Sequence, residues 1–436
     1  MLAPTVWHRR GAEMFGLGGI GEAFQDANFR RYSVGSIVSW LSFFVQAVAI
    51  AWVTWTLTHS TKWLAIVALL DAAPMSLLAP IGGVVADRGD RFRTLLICYA
   101  FATLHAAALT ALAYFGQLSI GWLAALALFH GVIHAFSVPA AFGLLPRFVA
   151  PERLASAIAV SSAYTQLGIF VGPALAGWML LHFGPTAAFA SNVVGYGVFF
   201  VSAARMRAPA GWRPPKPRES SFLADFHEGV AAIRAHAGIR GLLMLMLFGD
   251  SLSSSVRQML PAFADRDLHA GVAGLSTLLA SAGIGATCSA LWIAQGGRKR
   301  LHSRLVLTAF LGYLAATVGL ASVSTLPLAA LAMVARGASF ELCRTGTVGL
   351  LQTSTPDELR GRIMSAQFLL QQGAAAIGIA AIGLVADRVG LTSPLLVACA
   401  VAGLVWLATF RRRGGMEAAF ASHEESVPLR AAPPRL

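Results

Sequence analysis

Residues 82–93 read Gly-Gly-Val-Val-Ala-Asp-Arg-Gly-Asp-Arg-Phe-Arg, a short charged segment between two long apolar runs. The runs on its two sides, 64–86 and 94–115, each approach or exceed the roughly 20 apolar residues that cross a bilayer. A charged turn this short leaves no room for a soluble domain. We therefore expect a tight cytoplasmic hairpin that joins two transmembrane helices.

The composition of the whole chain supports a membrane protein. Its 436 residues are 56% hydrophobic and 12% charged, with a mean hydropathy of +0.67, whereas soluble domains carry about 25% charged residues. The fold class predicted is an all-α membrane protein with twelve transmembrane helices. The predicted spans are 33–57, 64–86, 94–115, 119–142, 154–181, 185–206, 239–261, 272–293, 304–323, 326–349, 363–386 and 394–410.

The basic residues orient these spans. Of the 33 lysines and arginines, 27 lie in the two tails, in the even-numbered turns or within two residues of those turns. The others are Lys62, Arg266 and Arg388 in the opposite loops and Arg257, Arg336 and Arg344 inside spans. Basic loops face the cytoplasm, so both termini are predicted to be cytoplasmic. The net charge of +13 is then explained by anionic lipid, and no nucleic-acid partner is expected.

One long loop, 207–238, divides the spans into two sets of six. The predicted organisation is a cytoplasmic segment 1–32, a bundle 33–206, the linker 207–238, a second bundle 239–410 and a cytoplasmic tail 411–436. In the linker, Phe222, Phe226, Val230 and Ile233 recur at helical spacing. This pattern predicts an amphipathic helix on the inner membrane surface, the alternative being a simple connection.

The two bundles share a pattern of glycines. Gly172, Gly177 and Gly184 recur as Gly378, Gly383 and Gly390, always 206 residues later. Two parallel six-helix halves related by an axis along the membrane normal are the plan of the major facilitator transporters.

The charged segment 82–93 resembles a motif of that family. Gly83, Asp87, Arg88 and Arg91 match the G-x-x-x-D-R-x-G-R sequence that follows the second span of major facilitator transporters. The resemblance implies that this turn is a conformational latch rather than a substrate site. Asp90 stands where the family has a second glycine.

A second element lies in the fifth span. Gly168, Gly172, Pro173 and Gly177 resemble the G-x-x-x-G-P-x-x-G-G motif of proton-driven exporters, with Ala176 in place of one glycine. The resemblance implies export driven by the proton gradient, without another cofactor. Small residues at this spacing also suit an ordinary packing seam between helices.

The segment 351–362 and the stretch around Arg257 are similar to the enterobactin-exporter branch of the family. That resemblance implies a monomer in the bacterial inner membrane that exports a siderophore, or another small amphipathic molecule, by proton antiport. The branch also contains drug and macrolide exporters, so a multidrug antiporter is the alternative. A membrane receptor or scaffold without transport is the remote one.

Ionisable side chains inside spans are functional candidates, because burial of an unpaired charge is costly. Asp250, Glu341 and Asp71 are the candidates for the exchanged proton. A nearby arginine would favour the charged form of such a carboxyl, so cargo that competes for the arginine would alter its proton affinity. A structural set of salt bridges is the alternative.

Other residues are candidates for the substrate cavity, which spans 1, 4, 7 and 10 line in the family fold. They are Arg257, Arg336, Arg344, His130, His134, Gln46, Trp40 and Phe44. The arginines suit an anionic substrate and the aromatic rings suit an aryl group. His130 and His134 have the spacing of a metal pair, but no third ligand is evident nearby, and no metal is expected.

Overall fold

The computed structural model describes residues 24, 26–144, 154–206, 222–235, 237–296, 302–355 and 357–411. Within these ranges the chain is helical and contains no strand. The helices are α1 (Ala27–Thr58), α2 (Thr61–Arg88), α3 (Arg91–Tyr114), α4 (Ile120–Leu144), α5 (Leu154–Ala204), α6 (Phe222–Ala235), α7 (Ala237–Ala262), α8 (Gly271–Gly296), α9 (Ser303–Ser322), α10 (Leu326–Ser354), α11 (Asp357–Val389) and α12 (Thr392–Arg411). A π-helical turn, Phe263–Asp267, extends α7. The predicted all-α membrane fold is confirmed.

The number of membrane crossings depends on how α2 and α5 are counted. Ten helices among the described residues are long and apolar enough to span a bilayer, and α5 is one of them. Gly184, at φ 75° and ψ −179°, interrupts α5 and separates two segments that correspond to predicted spans 5 and 6. Helix α2 lies at predicted span 2 but is not among the ten. The count of twelve therefore requires α2 and both segments of α5.

The backbone repeats at the offset seen in the sequence. Gly184 divides α5 at φ 75°, and Gly390, 206 residues later, follows α11 at φ 80°. Glycine reaches positive φ about as readily as negative φ, whereas other residues are strained there. Spans 5 and 11 thus end on the same kind of glycine turn.

The described helices fall into two compact units. The first contains α1–α5 and the start of α8, residues Ala270–Ala280, and the second contains α6, α7, the rest of α8 and α9–α12. In the first unit α1 packs mainly against α5, and α2 packs against α4. In the second, α7 packs against α11, and α9 packs against α10 and α12.

Helices α2 and α4 touch backbone to backbone at two glycines. A Cβ atom built on Gly82 of α2 would overlap the Ala135 carbonyl of α4, and one on Gly131 of α4 would overlap the Asp71 carbonyl of α2. Small residues allow this approach in lipid, where no hydrophobic effect drives helices together. The second unit uses the same device where Gly285 of α8 meets the carbonyl of Val334 in α10.

The charged segment 82–93 contains a helix cap. Helix α2 runs through Arg88, and the Asp90 carboxylate accepts hydrogen bonds from the N–H groups of Phe92 (2.9 Å) and Arg93 (3.3 Å) at the start of α3. An aspartate at this position satisfies backbone donors that a helix N-terminus leaves free, which a glycine cannot do. The side chains of Asp87 and Arg88 lie outside the described part, and the latch stays a prediction.

Helix α6 lies where the apolar spacing of the linker predicts a helix. Its residue Ile233 is buried with Ile239 and Ile363 in a cluster formed with α7, α10 and α11. Glu228 of α6 forms an ion pair with Arg362 of α11, and Gly229 lies against the Arg362 backbone. The segment 351–362 therefore supports the linker helix. The position of α6 on the membrane surface stays a prediction.

The adjacent glycines 82 and 83 provide a test of the α2–α4 contact. Gly82→Ala should lower the unfolding temperature, because overpacking a close contact typically costs about 1–3 kcal/mol. Gly83→Ala should keep or raise it, since nothing lies within 4 Å of that Cβ position and alanine favours helix by about 1 kcal/mol. Tryptophan fluorescence of both purified variants on heating measures the difference. Equal melting would show that Gly82 makes no tight contact.

Candidate functional site

A polar cluster in the first unit is centred on His130 of α4. Its Nδ1 atom lies 2.6 Å from Oδ1 of Asp71 in α2, and its Nε2 atom lies 3.1 Å from the hydroxyl of Tyr196 in α5. The His130 side chain is 4% exposed and that of Asp71 is 44% exposed. The imidazole thus connects a partly accessible carboxyl to a buried phenol.

The glycine contact between α2 and α4 explains this pairing. Gly131 permits the backbone of α4 to touch the backbone of Asp71, and its neighbour His130 then meets the Asp71 carboxyl. A larger residue at 131 would separate the helices and lengthen the hydrogen bond. The packing of small residues therefore places the charged groups.

Three further rings surround His130. The ring centroids of His134 and His105 lie 4.5 and 5.0 Å from that of His130, and the Phe43 ring of α1 stacks on His134 at 5.1 Å. Neither ring nitrogen of the buried His105 has a hydrogen-bond partner of good geometry among the described residues. Imidazoles beside a carboxyl are suited to holding and passing a proton. The described residues contain no group of three ligands fit for a metal.

The predicted cavity residues of α1 lie in its seam with α5. Gln46 is buried and accepts a hydrogen bond of 2.5 Å from the Asn192 amide. The rings of Trp40 and Phe44 stack at 6.0 Å, and their Cβ atoms lie against Gly168 and Gly172 respectively. In the first unit, Gly168 and Gly172 of the exporter-type motif therefore allow α1 to pack closely against α5. An aryl-binding role for the two rings stays a prediction.

The remaining motif residues continue along α5. Pro173 lies inside the helix, one residue after Gly172. A Cβ atom on Gly177 would meet the backbone of Ser276 in the part of α8 that belongs to the first unit. The motif is thus a run of close contacts on successive turns.

Asp250 of α7 has a neutral partner. Its Oδ2 atom accepts a hydrogen bond of 2.5 Å from the side-chain amide of Gln371 in α11. Arg257 and Arg344 are close enough for their charges to act on Asp250, but no basic side chain forms an ion pair with it in the described part of the chain. Its negative charge is therefore only indirectly compensated.

Glu341 of α10 is in a different situation. The buried carboxylate forms hydrogen bonds of 2.9–3.1 Å with the guanidinium of Arg344, one turn along the helix, and 2.5 Å with the Thr345 hydroxyl. A hydrogen-bonded pair of this kind stabilises the ionised carboxylate. The spacing i, i+3 predicts this pair, and the structure shows it.

Arg336 of α10 and Arg257 of α7 have no carboxylate within ion-pair distance among the described residues. Arg336 is 5% exposed and donates to the Tyr313 hydroxyl (3.2 Å) and the Ser253 carbonyl (3.4 Å). Its guanidinium carbon lies 5.2 Å from the centre of the Tyr313 ring. Arg257 is exposed, and its one hydrogen bond within the described ranges goes to the Ser254 hydroxyl, at 3.5 Å.

The sequence alone did not identify four polar partners of these groups. They are Tyr196, Asn192, Gln371 and Tyr313. Each is a polar residue in a largely apolar segment, which is a usable signal because unsatisfied polar groups in lipid are costly. The sequence also gave no indication that Asp71 and His130, on different helices, would pair.

A double-mutant cycle tests the Asp71–His130 contact. Asp71→Asn and His130→Gln should each destabilise the protein by about 1–3 kcal/mol, because each leaves a charged or polar partner without its hydrogen bond. The double variant should cost less than the sum of the two, by about 0.5–3 kcal/mol. Reversible unfolding in mild detergent measures these free energies.

Thr110→Val gives the matched control, since the Thr110 hydroxyl bonds to Ala106 in its own helix. Its cost should add to that of Asp71→Asn without coupling. Additivity in the Asp71–His130 cycle as well would contradict the contact.

Comparison with known proteins gives a consistent result. The profile of the family described as "transmembrane secretion effector" matches residues 22–429. The enterobactin exporter EntS of Citrobacter koseri is 28% identical over 362 residues, which cover 81% of this chain and 84% of that protein. The exporter of the same name from Escherichia coli O1:K1 is 26% identical over 363 residues, with the same coverage.

Solved structures share the fold. A bacterial homologue of the human lysosomal transporter Spinster, in an inward-facing and unoccupied conformation, has a TM-score of 0.70 at 13% identity and covers 93% of this chain and 98% of its own. The nucleoside transporter NupG has a TM-score of 0.66 at 11% identity and covers 88% and 98%. At such identities the likeness establishes the fold alone.

Proposed function

We propose that this chain, which belongs to the transmembrane secretion effector family of major facilitator transporters, exports a small amphipathic molecule of the siderophore class. The protein is a multi-pass membrane transporter. The finer parts of the proposal are the cargo, the outward direction, the proton as the driving ion and the bacterial inner membrane as the location.

The similarity to enterobactin exporters is the observation that carries the cargo. It extends over 81% of the chain, and so covers helices of both units. A siderophore exporter needs no bound cofactor, because the proton gradient supplies the free energy. One copy of the chain contains both six-helix halves, which supports a monomer as the working unit.

The contacts of the three acids inside predicted spans support Asp250 as the principal proton carrier. Glu341 has Arg344 as a counter-ion and Asp71 has His130, whereas Asp250 has only the neutral amide of Gln371. A carboxyl away from water without a direct cation is the one for which protonation removes the largest cost. Asp71 with His130 offers a second place for a proton in the first unit.

Complementation tests the cargo. A siderophore-producing strain that lacks its own exporter should recover secretion under iron starvation when it expresses this chain, but not when it expresses Asp250→Asn at equal abundance. Siderophore in the medium is quantified by chromatography. If expression of this chain does not restore siderophore secretion but raises resistance to macrolides or dyes, the siderophore proposal is wrong and a multidrug antiporter is favoured.

Proton coupling has a separate test in inverted membrane vesicles. Adding the exported siderophore should release protons from energised vesicles that contain the wild type, and Asp250→Asn should abolish this release while keeping siderophore binding. Asp267→Asn is the matched control, since Asp267 lies at the end of the same helical segment and pairs with Arg266. Proton release that survives Asp250→Asn would assign the proton to another group.

A further inference from the structure

We infer that the second unit carries an anion-binding site built from Arg336 and Arg257. Its ligand is an organic anion, such as a carboxylate, that presents two neighbouring acceptor oxygens to a guanidinium. The inference rests on the proposed export function, since it assigns a charge to the cargo. It selects two of the three arginines predicted to line the substrate cavity.

Arg336 is a buried cation with neutral neighbours. Its two hydrogen bonds go to a phenol and a backbone carbonyl, and its Nε atom has no partner in the described part of the chain. A guanidinium has five N–H donors arranged to grip a carboxylate with two parallel bonds. Arg336 therefore retains donor capacity that an anion would use.

Arg257 adds a second positive charge at the same place. Arg336 donates to the carbonyl of Ser253, Arg257 donates to the hydroxyl of the next residue, Ser254, and the Arg257 side chain is exposed. Two cations that lie close together, one of them buried, repel each other unless an anion lies between them. An anion between them would relieve the repulsion and neutralise the buried guanidinium.

The neighbouring charged groups do not neutralise Arg257 and Arg336. Arg344 forms an ion pair with Glu341, so neither side chain is available to bind or replace the anion. The Asp250 carboxylate is hydrogen-bonded to the neutral amide of Gln371 and forms no ion pair with Arg257 or Arg336 among the described residues. The pair Arg257 and Arg336 is thus left with a net positive field.

The surroundings also indicate the shape of the ligand. The Tyr313 ring faces Arg336, and the Phe340 ring packs on Tyr313 at 5.3 Å. A planar guanidinium beside aromatic rings suits a flat group that carries its charge at one edge. Aryl carboxylates and related oxygen anions have this form.

Salicylate and its uncharged amide, salicylamide, make a matched pair of probes. In saturation-transfer NMR with the purified full chain, salicylate should bind at least about tenfold more tightly than salicylamide. Arg336→Gln and Arg257→Gln should each weaken salicylate binding about tenfold, and Arg336→Lys should weaken it less. Arg388→Gln removes one positive charge from an exposed position on α11 and should leave binding unchanged.

The outcomes separate this inference from the export function. If salicylate and salicylamide bind alike, or if Arg388→Gln has the same effect as Arg257→Gln, the site is wrong even when siderophore secretion is restored. Because Arg257 is exposed, Arg257→Gln should fold even if Arg336→Gln does not, and unchanged salicylate binding to it would also overturn the site. A secretion failure with intact anion binding would instead overturn the siderophore proposal alone.

Discussion

Direct contact between helix backbones is the constraint on which both units depend. Between lipid-embedded helices the hydrophobic effect supplies little attraction, so stability comes from dispersion and interhelical hydrogen bonds that require close approach. Gly131 brings α4 onto α2, Gly172 brings α5 onto α1, and Gly378 brings α11 onto Ser251 of α7. Each of these contacts also positions polar groups, since His130, Gln46 and Asp250 find their partners on the helices that the glycines admit.

The charged groups in the two units differ in how completely they are compensated. In the first unit the carboxyl of Asp71, the imidazole of His130 and the phenol of Tyr196 form one continuous chain of hydrogen bonds. The candidate residues of the second unit comprise one ion pair, Glu341 with Arg344, one carboxyl with a neutral partner, Asp250, and two cations without a carboxylate partner among the described residues, Arg257 and Arg336. Ion binding is favoured where compensation is missing, because an incoming proton or anion then removes a standing electrostatic cost.

Sequence patterns predicted the features that depend on neighbours along the chain. The apolar runs gave the helices, the repeated glycines gave the matching turns at Gly184 and Gly390, and the spacing of Glu341 and Arg344 gave their pair. Contacts between helices depend on rotation and depth, which one sequence does not encode locally. The partners of Asp71, Asp250 and Arg336 therefore emerged only from the structure, whereas the break between spans 5 and 6 at Gly184 agrees with the predicted spans 154–181 and 185–206.

The turn at Gly184 fixes where the second segment of α5 begins. The segment of α5 before Gly184 grips α1 at Phe44 through Gly172, and the segment after it grips α1 at Gln46 through Asn192. One residue added within the helical segment between Gly184 and Asn192 would rotate Asn192 by about 100° about the helix axis and shift it by about 1.5 Å, so Asn192 would no longer meet Gln46. The contact between Asn192 and Gln46 therefore depends on the number of residues that separate Asn192 from the turn.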